Sequence, residues 1–162
     1  MVIVSGCLRA IPSVFKPRVC KAFLRRGYSL FAVSHLSQPK ATIPEIYDDV
    51  TNAVKHIREH SSEYGVDPGQ LGVVGASAGG HLSLMVATRG KETTGKPDGL
   101  VRAAAIFFPV TDVLNPGNTS KAEKDGGPSK RFRKLFGIDP DALGAWNRVG
   151  RELSPLYRVG AA

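Results

Sequence analysis

The sequence predicts an α/β fold: a central, mostly parallel sheet of about four strands with helices on both faces. Three observations predict it. Short apolar, β-branched runs alternate with longer stretches whose apolar residues recur at offsets of three and four. Glycines and an Asp-Pro-Gly turn punctuate the joins. The length, 162 residues, fits one domain, so residues 1–162 are read as a single unit.

Each element follows in order. Val2-Ile3-Val4 reads as a buried strand that enters a loop at Ser5-Gly6. Phe15 to Arg26 reads as a helix, with Phe15, Val19, Ala22 and Phe23 apolar and bases between them, ended by Gly27. Ser29 to Val33 is a second strand and Ser37 to Ile43 a loop. Pro44 suits a first helical position, and Ile46, Val50, Ala53, Val54 and Ile57 then form one apolar stripe. Gly65 closes that helix, and Asp67-Pro68-Gly69 makes a turn. Leu71 to Val74 is a third strand. His81 to Thr88 continues as a helix stopped by Gly90, and Lys91 to Gly99 is a polar loop. A fourth strand lies within Val101–Val110, centred on Ala104 to Phe108. Residues 115–130, rich in Gly, Pro, Asn and Lys, read as a flexible surface excursion. Arg131 to Phe136 and Asp141 to Val149 read as short helices, and no internal repeat is present.

Composition narrows the function classes. A chain 42% hydrophobic and 22% charged folds rather than staying generally disordered. No apolar run approaches the ~18–20 residues that span a bilayer. Two cysteines, Cys7 and Cys20, are too few for a disulfide scaffold, and with no third ligand evident near His56 and His60, no metal is expected. Residues 1–40 hold seven bases and no acid, nearly all of the net +8. With no recognition motif beside them, these bases read as a solvated helix face and no nucleic-acid partner is expected. No secretory apolar segment is visible, and the compartment is left unassigned.

The chemistry concentrates at Gly75-Ala76-Ser77-Ala78-Gly79, which matches G-x-S-x-G between a strand and a helix. A serine on so tight a turn projects its oxygen above the sheet, and the sharp bend demands small neighbours. Gly75 and Gly79 flank it, and both intervening residues are alanine. The following helix aims its N-terminal N–H groups at the same point. A dinucleotide fingerprint fails because Ser77 stands where its second glycine belongs, and a Walker loop lacks its Gly-Lys-Ser/Thr ending.

Gly72 to Leu82 resembles the nucleophile elbow of α/β-hydrolase esterases, most closely the acetyl esterase, acetylxylan esterase and feruloyl-esterase-like group. Other stretches agree in order: Arg26-Gly27-Tyr28, Ile43 to Asp49, Glu63 to Pro68, Phe108 to Asp112, and Leu153 to Leu156. The resemblance implies a partial α/β-hydrolase fold, truncated at both ends, with strands side by side in the order second, first, third, fourth. It implies a serine carboxylesterase with Ser77 as nucleophile and the backbone N–H groups of Ala78, Gly6 and Cys7 as oxyanion hole. Gly6 and Cys7 stand where the family usually carries His-Gly-Gly-Gly, and only one glycine is kept. The implied substrate is a small-molecule or carbohydrate ester with a short acyl group, acetyl above all, and no cofactor.

A serine hydroxyl needs a base, and the base an orienting acid. The family order is serine, acid, histidine, yet no histidine follows His81. His81 reads as a packing residue. His35, after the second strand, and Asp112, after the fourth, are the weak candidates for base and acid. Two alternatives therefore stand beside the esterase: a catalytically dead or fragmentary hydrolase remnant acting in binding, and an anion-binding module built on residues 1–40. Both edge strands are apolar, which invites self-association through them.

Overall fold

A computed structural model describes residues 2–4, 17–94, 99–115 and 127–159. Its sheet holds four strands, β1 (Val2–Val4), β2 (Phe31–Val33), β3 (Gly72–Ala76) and β4 (Ala103–Phe107). Their order is β2-β1-β3-β4 and every pairing is parallel. Both the order and the direction match the expectation. The helices are α1 (Pro17–Leu24), α2 (Ile43–Glu59), α3 (Ala78–Thr94), α4 (Lys130–Lys134) and α5 (Leu143–Glu152). Short 3₁₀ turns occupy Pro68–Gln70 and Pro155–Tyr157.

Local chemistry accounts for the helix ends. Gly27, at φ +80°, ends α1 as its left-handed residue. The amide of Tyr28 returns to the carbonyl of Phe23 and that of Gly27 to Leu24, the paired bonds of a Schellman cap. The Tyr28 and Phe23 rings then meet edge to face at 5.9 Å. At the head of α2, Thr42 accepts from the Glu45 amide while the Glu45 carboxylate accepts from the Thr42 amide. This capping box starts the helix one residue before Pro44.

The core forms where the α2 stripe meets α3 and one face of the sheet. Ile46, Val50 and Val54 are completely buried, as are Leu82, Met85 and Val86. Val73 and Gly75 turn to this side and are buried, whereas Gly72, Val74 and Ala76 are not. On the opposite face Phe23 and Tyr28, from α1 and the turn after it, border an open groove with Gly72, Val74 and Ala105. Helices thus lie on both faces, but the second face is only partly covered over β3 and β4. The described bases Arg18, Lys21, Arg25, Arg26 and Lys40 are all exposed, as a solvated face requires.

Several boundaries differ from expectation: α1 ends at Leu24, β3 is Gly72–Ala76, α4 is Lys130–Lys134 and α5 is Leu143–Glu152, and three further shifts have a visible cause. α3 runs through Gly90 to Thr94, so Lys91 to Thr94 is helix rather than loop. A helix tolerates one interior glycine at a cost of about 1 kcal/mol, and Arg89, just before it, is fixed by Glu152 at 3.2 Å and lies over the Tyr47 ring. β2 begins at Phe31, two residues late, because only Phe31–Val33 finds partners along the three-residue β1. β4 ends at Phe107, because Phe108 turns to φ +38°. Of the expected excursion over 115–130, residues 116–126 lie outside the described residues. Pro128 is buried, and Ser129 caps α4 by accepting from the Phe132 amide.

Candidate active site

β3 ends at Ala76 and α3 begins at Ala78, so Ser77 alone joins strand to helix. Its φ is +52°, a left-handed conformation that costs an L-residue roughly 1–2 kcal/mol. Two hydrogen bonds hold it there. The Ser77 amide donates to the Phe107 carbonyl at 3.0 Å, and the His81 amide donates to the Ser77 carbonyl at 2.9 Å. The second bond is the first rung of α3. The amides of Ala78, Gly79 and Gly80 therefore precede the helical ladder and remain at its positive end. Ser77 is exposed, and among the described residues none hydrogen-bonds its hydroxyl.

The small neighbours have a steric cause. A Cβ on Gly75 would fall inside the carbonyl group of Gly79 and 2.5 Å from the Ser83 hydroxyl. A Cβ on Gly80 would stand 3.1 Å from the Phe107 oxygen and 3.2 Å from that of Gly75. Helix and strand touch backbone to backbone here, and that contact lifts Ser77 to the rim.

The other sequence candidates fall on the same rim or outside the described residues. Gly6 and Cys7 lie outside them; the strand they follow ends at Val4, paired with Gly75. His35 follows β2, two strands from β3, or roughly 10 Å at ordinary strand spacing. It is buried, and its Nδ1 lies 2.5 Å from the Leu36 carbonyl. Asp112 follows β4, where Oδ1 accepts from the Leu114 amide at 2.9 Å and Oδ2 from the Tyr157 hydroxyl at 3.4 Å. These bonds tie the strand's outgoing loop to the chain's last turn. His56 and His60 stack on the outer side of α2 at 4.0 Å. No cluster of metal-ligating side chains occurs among the described residues.

His81 makes no hydrogen bond to the Ser77 hydroxyl. It is buried, and its Nδ1 donates to the Val110 carbonyl at 2.8 Å. Burial pushes its pKa down, and the bond to Val110 opposes that only in part. The ring forms one wall of an apolar cavity of about 170 Å³ beside the elbow, with Ala78 as another wall. No pattern in the sequence points to this cavity. Its far side comes from α4, whose residues no periodicity connects to α3.

A family model, BD-FAE, matches residues 10–147. The chain belongs to the BD-FAE family. Among curated proteins, this BD-FAE chain is similar to a probable carboxylic ester hydrolase, LipM, of Mycobacterium tuberculosis. They are 35% identical over 91 residues, 53% of this chain and 21% of that protein. Among solved structures it is similar to a truncated carbohydrate esterase from gut microbiota, at TM-score 0.74 and 20% identity, covering 98% of this chain and 61% of the other. It is also similar to the butyrate-bound esterase Est2 of Thermogutta terrifontis, at TM-score 0.68 and 25% identity, covering 99% and 56%. The BD-FAE chain spans about a fifth to a third of the curated relatives it matches. Its sheet and helices are those of a partial α/β-hydrolase fold.

Proposed function

We propose that this chain carries the nucleophile of a carboxylic ester hydrolase, and that residues 1–162 act as one partial α/β-hydrolase domain. The observation that carries the reading is the exposed Ser77 at φ +52° before the unpaired amides of α3. Ser77 Oγ attacks the ester carbonyl, and the carbonyl oxygen becomes an oxyanion received by the Ala78 amide, with Gly6 or Cys7 supplying a second N–H from the loop after β1. The alcohol leaves, and water releases the acid from the acyl-enzyme. Relatives named as ester hydrolases support the class, and the family resemblance supports short acyl groups of acetyl type.

Within this chain, the imidazole and carboxylate on the rim are His35 and Asp112. A second reading, a chain that keeps the elbow but does not turn over, is favoured by one observation. Among the described residues no imidazole or carboxylate hydrogen-bonds the Ser77 hydroxyl. p-Nitrophenyl acetate separates the two readings. The hydrolase releases p-nitrophenolate continuously, well beyond one equivalent per chain, and Ser77→Ala loses this release, whereas release that stops at one equivalent supports the second reading. Release equal in the folded wild type and Ser77→Ala leaves the second reading.

The outer edge of β4, unpaired among the described residues, supports self-association by edge pairing. Sedimentation velocity across a concentration series tests it, and a monomer throughout removes it.

A further inference from the structure

We propose that the cleft between α2, α3 and α5 is a second binding site, separate from the elbow, and that it takes a neutral saccharide. The proposal does not depend on the hydrolase reading. Arg89, in the cleft wall, stands twelve residues beyond Ser77 along α3, a rise of about 18 Å at 1.5 Å per residue. The cleft encloses about 470 Å³, within the roughly 300–1,000 Å³ usual for small-molecule sites.

One wall is a polar stripe of α2. Asp48, Thr51, Asn52 and Lys55 recur at offsets of three and four, so they share one side of the helix. Arg89 of α3 and Glu152 at the end of α5 form the facing wall. That wall is fixed in advance. Arg89 Nη2 bonds Glu152 Oε1 at 3.2 Å, and its guanidinium lies 5.4 Å from the centroid of the buried Tyr47 ring. One side chain thus ties α3 to both α5 and α2, and binding has little left to order there.

The α2 stripe, by contrast, holds polar groups that the fold does not use. Thr51 is only 5% exposed, and its Oγ1 has no hydrogen-bond partner among the described residues. A buried hydroxyl without a partner is unfavourable. A helical threonine populates two χ1 rotamers, so this hydroxyl can turn to a ligand in the cleft. Nor do the side chains of Asp48, Asn52 and Lys55 hydrogen-bond any described residue.

Charge and spacing choose the ligand. The lining holds two acids, Asp48 and Glu152, and two bases, Lys55 and Arg89, and Arg89 and Glu152 already neutralise each other. A net charge on the ligand would gain at one end what it loses at the other. A hydrocarbon would desolvate these groups and give nothing back. A sugar hydroxyl both donates and accepts, and so answers Lys55, Asn52 and Asp48 alike. An α-amino acid is also neutral overall, but it carries both charges on one carbon. Asp48 and Lys55 are separated by about 10 Å along α2, too far for it to bridge.

The test is binding by the full chain. Xylobiose, cellobiose and maltose are titrated separately into ¹⁵N-labelled protein and followed by NMR. Saturable shifts at the Thr51, Asn52, Lys55 and Arg89 amides are expected with at least one of them, while the amides from Ala78 to His81 stay put. Asp48→Ala and Asn52→Ala, at exposed positions, are each expected to weaken binding at least tenfold. Ser77→Ala is expected to bind as the wild type does. No saturable shift with any of the three, shifts confined to Ala78–His81, or full affinity in both α2 variants overturns the proposal. Saturation of the same amides by glycine, and by no saccharide, overturns the ligand class. Fluorophosphonate labelling of Ser77 is read separately, so the hydrolase reading stands or falls without reference to this site.

Discussion

The amide of Ser77 donates to the carbonyl of Phe107 at 3.0 Å, and Ser77 and Phe108 both take left-handed backbone. One hydrogen bond thus couples the bend after β3 to the bend after β4. Left-handed φ at a non-glycine residue is unfavourable on its own, so the neighbouring packing must impose it. Replacing Ser77 by glycine relieves that cost at Ser77. Ser77→Gly is expected to keep or raise the unfolding free energy, by up to about 1 kcal/mol, while abolishing ester chemistry. Urea unfolding checks the first part, and a clear loss of stability contradicts it.

Two glycines that pack at the bend, Gly75 and Gly80, are not equivalent. A methyl on Gly75 meets rigid backbone from Gly79 as well as the Ser83 hydroxyl, whereas one on Gly80 stands just over 3 Å from its neighbours. Gly75→Ala is expected to cost at least about 3 kcal/mol. Gly80→Ala is expected to be nearly neutral, because better helix propensity offsets its crowding by about 1 kcal/mol. Equal losses in the two variants would show that the close approach at Gly75 is not what shapes the bend.

His81 makes stability depend on pH in a defined sense. Its folded pKa lies below that of the free side chain because burial disfavours the imidazolium. The unfolded chain then binds the extra proton first. The contribution is complete above the unfolded pKa, about 6.5, and declines as pH falls from there toward the folded pKa. His81→Asn keeps a side-chain N–H for the Val110 carbonyl but has no proton to gain. Unfolding free energies measured from pH 7.5 to pH 5 are expected to fall in the wild type, with a shallower fall in His81→Asn. Identical slopes would place the acid sensitivity elsewhere.

Ser154 organises the loop that carries Val113. Its hydroxyl, fully buried, accepts from the Val113 amide at 2.9 Å and sits 2.5 Å from the Gly150 carbonyl. Ser154→Ala leaves the buried Val113 N–H without an acceptor, at an expected cost of about 1–3 kcal/mol. Faster hydrogen exchange at the Val113 amide accompanies it, and unchanged protection there would rule this role out.

Much of this architecture could be read from the chain itself. The α2 stripe from Ile46 to Ile57 identifies its helix, because one apolar face at helical spacing has to be buried. The strand order followed from the family resemblance and agrees with the register of Val4 opposite Gly75. The bend at Ser77 was legible because the flanking small residues have one steric purpose. Other features were beyond a linear reading. The Thr42–Glu45 capping box carries the T-x-x-E signal, yet Pro44 drew the helix start instead. Arg133 belongs to a basic run that suggests a solvated face, but it is buried because the Pro128 and Pro140 carbonyls converge on its guanidinium. The cavity joins Ala78 to Phe132 and Phe136 across more than fifty residues, and only folding brings them together.

The most direct test is covalent. Folded protein is treated with a small alkyl fluorophosphonate and mapped by peptide mass spectrometry. One adduct per chain is expected, on Ser77, absent from Ser77→Ala and from urea-unfolded protein. Folded protein that takes no adduct, or takes it on another residue, contradicts Ser77 as an activated nucleophile.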